Sequence, residues 1–278
     1  MADGQAEAMP ARFDDLPERL RSALVLAPIA LVCLWEGGAA WALLVALAGV
    51  GVAGEWVRIV TFRPAALPGV VLPMLVAASC LATGLGFARP ALAALCLATA
   101  ALATVAGPRE AARRWLAAGM LYLGVAAVAA IWLRHGGAVG RGNVLFVILI
   151  VWASDTGAYL VGRFVGGPKL VPRVSPSKTW AGALGGTGFA VAAGLLVAVA
   201  FAAGPSLGVV AVSIALGTAS QAGDLVGSVV KRRFGVKHSS MLIPGHGGLL
   251  DRLAGVLAAA PVASLLVLVL GPGAELWR

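Results

Sequence analysis

With 278 residues, 60% of them hydrophobic and only 12% charged, this chain carries more apolar surface than a single soluble core can hide. Its formal charge of +9 comes from 21 Lys+Arg against 12 Asp+Glu, and in so apolar a chain that excess reads as membrane topology, not as a nucleic-acid surface. Cys33, Cys80 and Cys96 all lie in apolar runs, which excludes a disulfide framework or a cysteine metal site.

Residues 1–20 are polar and mixed in charge and read as a short cytoplasmic tail. Apolar runs follow at about 22–35, 38–54, 66–86, 90–107, 115–133, 143–162, 181–203, 206–223 and 253–270. The first has no small-residue cleavage site after it and reads as a retained helix. In lipid every backbone polar group needs an internal partner, so such runs form helices. The expected fold is all-α and polytopic, with about nine transmembrane helices. N-terminal helices fill residues 1–140, and a C-terminal catalytic region fills 141–278. With the N-terminus inside, seventeen of the 21 basic residues fall in inner segments, and Arg89, Arg134, Arg141 and Arg278 fall outside. The two longest inner loops, about 163–180 and 224–252, hold most of the polar chemistry.

After Glu110 the chain has only four acids, Asp155, Asp224, Asp251 and Glu275. The first three lie within or at the ends of predicted spans and share one membrane face. Acids at membrane depth are costly, and are either paired structurally or functional. The stretch Ser154-Asp155-Thr156 places a polar cluster in the sixth run, suited to a cation, a ribose or the capping of a neighbour. In Ser175-Pro176-Ser177-Lys178-Thr179-Trp180, Ser175 as N-cap and Pro176 at the first helical position predict a helix start. Lys178 and Thr179 then meet a phosphate gathered there.

Asp224, Ser228 and Lys231 follow at i, i+4 and i+7 and share one helix face. They offer a carboxylate, a hydroxyl and an ammonium; the plainer reading is a solvated helix end with an ion pair. Pro244-Gly245-His246-Gly247-Gly248 is a Gly-rich turn leading into the ninth run, with Asp251 and Arg252 in its first turn. Glycines admit close backbone approach, and a helix N-terminus favours anions. Hard carboxylates such as Asp224 and Asp251 suit Mg²⁺, which binds through one or two carboxylates plus substrate phosphates.

Together these residues resemble the phosphatidate cytidylyltransferase family, the CDP-diacylglycerol synthases. The resemblance rests on Ser228-x-x-Lys231-Arg232, Lys237, and Pro244-x-His246-Gly247-Gly248-x-x-Asp251-Arg252. Gly223-Asp224, Ser175-Pro176-x-Lys178-Thr179-Trp180 and the run from Ser154 to Tyr159 also match. It implies transfer of CMP from CTP to phosphatidic acid in phospholipid biosynthesis, giving CDP-diacylglycerol and pyrophosphate. Mg²⁺ is the implied cofactor, with a second cation such as K⁺ as a further candidate. The implied catalytic residues are Ser228, Lys231, Asp224 and Asp251, the two aspartates also holding metal. The expected substrate and phosphate contacts are Ser175, Ser177, Lys178, Thr179, Arg232, Lys237, His246, Gly247, Gly248, Arg252 and Asp155.

Expected partners are CTP, phosphatidic acid and the lipid bilayer, with no nucleic acid; a homodimer is one candidate assembly. The expected location is a bacterial inner membrane, with the site on the cytoplasmic face. Three positions depart from the family pattern: His238 and Ala254 stand where it usually has acids, and Ala181 where it often has Glu. Two other readings stay open: a diverged relative that binds without turnover, and a transporter coupling through intramembrane aspartates. A lipid kinase is disfavoured, since no Walker-type Gly-rich Lys motif occurs.

Overall fold

The computed structural model describes residues 16–62, 67–104, 110–240, 247–271 and 273–278. Among them are nine helices: α1 (Leu16–Glu36), α2 (Gly38–Thr61), α3 (Leu67–Gly84), α4 (Ala88–Thr104), α5 (Glu110–Arg134), α6 (Gly137–Phe164), α7 (Trp180–Ala200), α8 (Leu207–Arg233) and α9 (Leu249–Leu270). Six of them, α2 and α5 to α9, are long and apolar enough to cross a membrane, and α1, α3 and α4 supply shorter apolar stretches. The chain is an all-α polytopic membrane protein. Leu47, Leu184, Leu196 and Val269 are more than 60% exposed, as side chains turned to lipid are.

α5 is the most enclosed of the long helices, with 67% of its span buried, and it contacts α2, α3, α4, α6 and α9. α6 packs most extensively on α7, and α8 on α9. Small residues permit this. A Cβ on Gly182 would lie 2.9 Å from the Ala158 carbonyl oxygen, and one on Gly223 only 2.2 Å from that of Ala254. Backbone contact of this kind is how helices associate tightly where lipid competes for apolar side chains.

Several helices outlast the apolar runs that predict them. α2 continues to Thr61 and α8 to Arg233. At 1.5 Å per residue the 27 residues of α8 span about 40 Å, beyond the roughly 30 Å of a hydrocarbon core. Its end, Lys231-Arg232-Arg233, therefore projects into the headgroup layer. The first turn of α9 begins at Leu249, so Asp251 is inside the helix.

One local expectation is corrected. Ser175 does not start a helix. Residues Ser175–Thr179 form strand β2, antiparallel to β1 (Lys169–Val171), with Lys169 opposite Thr179 and Val171 opposite Ser175. The hairpin satisfies the backbone that the helix was expected to satisfy. The α7 cap falls four residues later, on Thr179, whose hydroxyl accepts from the Gly182 N–H at 3.0 Å.

Candidate active site

Three elements converge at the end of α8. β2 brings Lys178, α8 brings Asp224, Ser228 and Lys231, and α9 brings Asp251. Lys178 Nζ lies 3.0 Å from Asp224 Oδ2. Lys231 Nζ is in direct contact with Asp251 Oδ1. The other carboxylate oxygen of Asp251 accepts from the Ser239 backbone N–H and hydroxyl, both at 3.1 Å. Each aspartate is thus matched by a lysine from another segment. These side chains are one-sixth to one-third exposed, buried enough to be positioned and open enough to exchange partners.

The remaining polar groups sort around these pairs. The Ser228 hydroxyl donates to the Asp224 carbonyl at 2.9 Å, one turn back, so it stays on the lysine-bearing face. Asp155, on α6, lies within electrostatic reach of Asp224 and Lys178. Arg232 Nε donates to the Val174 carbonyl at 3.4 Å, tying α8 to the hairpin. Ser177 and Lys237 are exposed and Ser175 is half-buried. The Thr179 hydroxyl is buried in its capping role. Arg252 is exposed beside Asp251 in the first turn of α9. His246 lies outside the described residues.

A model of the cytidylyltransferase family matches residues 17–270. A phosphatidate cytidylyltransferase of Brucella suis biovar 1 is 39% identical over 256 residues, covering 91% of this chain and 93% of the relative. The chain belongs to the cytidylyltransferase family. Shorter stretches are similar to the phosphatidate cytidylyltransferases of Haemophilus influenzae, at 42% over 127 residues and 44% of each chain, and of Staphylococcus epidermidis, at 40% over 130 residues, 46% of this chain and 50% of the relative. The protein is a nucleotidyltransferase.

One residue of this cytidylyltransferase is invisible to motif reading. Glu55, on α2, is 4% exposed. It accepts from the Leu249 N–H at 2.9 Å, the Leu250 N–H at 2.8 Å and the Ser240 hydroxyl at 2.5 Å. The amides expected to attract a phosphate at the start of α9 are therefore taken by a carboxylate of the protein itself. Gly248 makes room for it, since a Cβ there would sit 2.8 Å from Glu55 Oε2 and 1.8 Å from Ser239 Oγ. Gly247 has φ +84°, a left-handed conformation that favours glycine.

Among the described residues no group of three or more His, Cys, Asp or Glu is arranged to hold a metal. Asp224 and Asp251 nonetheless fit Mg²⁺ by donor chemistry. Both are hard carboxylates, each faces a cationic ammonium, and Mg²⁺ on nucleotides typically takes only one or two carboxylates plus phosphates.

Proposed function

We propose that the chain is a phosphatidate cytidylyltransferase that works at the cytoplasmic face of the cell membrane. It transfers CMP from CTP to phosphatidic acid and gives CDP-diacylglycerol and pyrophosphate. The observation that carries this reading is the pair of Lys–Asp bridges at the basic end of a membrane helix. They lie where a lipid phosphate and a water-soluble nucleotide can meet. The distribution of basic residues supports the cytoplasmic assignment of that end.

In the reaction a phosphate oxygen of phosphatidate attacks the α-phosphorus of CTP, and the bond from that phosphorus to the bridging oxygen of pyrophosphate breaks. Phosphatidate is already anionic, so no strong general base is required. Asp224 and Asp251 would hold Mg²⁺, which would supply charge neutralisation for the leaving pyrophosphate. Lys178 and Lys231, beside these carboxylates, would add positive charge near the phosphates, where negative charge develops. Ser228 holds its hydroxyl on the same face. The hairpin, anchored by Arg232, keeps Lys178 in place.

The test is the stoichiometry of product formation by purified protein in detergent. Pyrophosphate release that requires phosphatidate and matches the CDP-lipid formed is expected. Release independent of phosphatidate, or none, contradicts the reading.

Ala254 bears on the cation site. It is buried, and its Cβ faces Gly227 across the α8–α9 seam, where a Cβ would stand 3.7 Å away. Ala254→Asp adds a third carboxylate one turn from Asp251. The Mg²⁺ concentration for half-maximal rate is expected to fall several-fold; an unchanged value shows that the family's usual acid has no part in this protein.

A further inference from the structure

We propose that Glu55 is a positioning residue for the transfer reaction, acting on Asp251 through the start of α9 and the Ser239–Ser240 turn. This inference rests on the proposed cytidylyl transfer. Glu55 is separated from its α9 partners by 194 and 195 residues, so its place there is built by the fold and not by local sequence. It is buried where a carboxylate carries a large desolvation cost. Three donors aimed at two oxygens offset that cost, and two of them are first-turn amides whose dipole favours an anion.

The connection to the chemistry is short. Ser239 and Ser240 are adjacent. Ser240 binds Glu55, and Ser239 binds Asp251 through both its N–H and its hydroxyl. Asp251 is also the residue directly after Leu250, whose N–H donates to Glu55. Besides Lys231, two supports of Asp251, the turn and the helix start, therefore end on one acid of α2. Gly248 closes the arrangement, because any side chain there would strike both Glu55 and Ser239. The N-terminal half thus reaches the site through this contact.

Glu55→Gln replaces one acceptor oxygen by an amide that faces donors. Supporting groups of this kind around a metal carboxylate are worth about ten- to a hundred-fold in activity or metal affinity. In Glu55→Gln the kcat for CMP transfer is expected to fall by that factor and the half-saturating Mg²⁺ to rise. The KM for phosphatidate stays within about twofold, since the change is felt at Asp251 and not at the lipid. Hydrogen exchange at the amides of Leu249, Leu250 and Asp251 accelerates. Glu55→Asp, which keeps the charge, recovers part of the rate.

Wild-type kinetics in Glu55→Gln overturn the proposal. So does a loss of rate and thermal stability with unchanged Mg²⁺ dependence, which marks a purely structural role. If Glu55→Gln does not fold, Ser240→Ala, which removes the hydroxyl contact to Glu55, is read in the same way. If the wild type transfers no CMP, the functional reading fails on its own. The exchange rates then decide whether Glu55 holds this segment, and unchanged rates overturn that too.

Discussion

Asp251→Asn is expected to lower the rate of CMP transfer about a thousand-fold, equivalent to about 4 kcal/mol of barrier at 1.36 kcal/mol per decade. The amide keeps the shape of the side chain and one acceptor oxygen. It removes the charge that holds Lys231 and would hold Mg²⁺, and presents an N–H₂ group to donors that need an acceptor. The protein is expected to remain folded, because Asp251 sits at the end of a bundle whose α5, α8 and α9 contacts are made by other residues. Kinetics in detergent and a thermal melt on the same preparation separate the two effects. A variant within about threefold of wild type would take Asp251 out of the site.

The second large effect is expected at Asp224. Asp224→Asn is predicted to cost about a hundred-fold, the scale of losing one fixed electrostatic contact to the reacting groups. It should also raise the half-saturating Mg²⁺. The change frees Lys178 from its carboxylate but leaves the Ser228 hydrogen bond intact, since that bond goes to the Asp224 backbone carbonyl. The loss is therefore electrostatic and local. The double variant Asp224→Asn, Asp251→Asn should be far less than additive if both carboxylates serve one cation. Full additivity would mean two independent sites, and measured rate ratios for the four proteins decide between them.

The helical architecture is legible because lipid forces it. An apolar run of about 20 residues has no alternative to a helix, so each predicted run corresponds to an observed one. Ends are less legible, since a helix continues past the hydrocarbon wherever its backbone bonds continue. That is why α2 and α8 extend beyond the last apolar residue of their runs.

The same effect hid Glu55. Directly after an apolar run, it reads as the first residue of an inner loop. In the protein it is enclosed with its neighbours Trp56, Val57, Ile59 and Val60. Those apolar residues continuing past the acid are the signal that α2 does not stop there. The hairpin was missed for another reason. Ser-Pro is a good helix start, and nothing local shows that 169–171 will pair with 175–179.

At the site, spacing placed Asp224, Ser228 and Lys231 on one face of α8. It left unstated which lysine meets which aspartate. The crossed pairs, β2 to α8 and α8 to α9, follow from tertiary packing alone. The described end of the Gly-rich segment, Gly247-Gly248, holds an unexpected contact. Its glycines permit close approach, and at Gly248 the group that approaches is the protein's own glutamate.

The most direct measurement uses purified protein with phosphatidic acid, Mg²⁺ and CTP labelled in the cytosine, following label into the organic phase. The account predicts transfer by the wild type and almost none by Asp251→Asn at equal protein and equal fold. No transfer by well-folded wild type across a range of Mg²⁺ and K⁺, or equal transfer by both proteins, would contradict it.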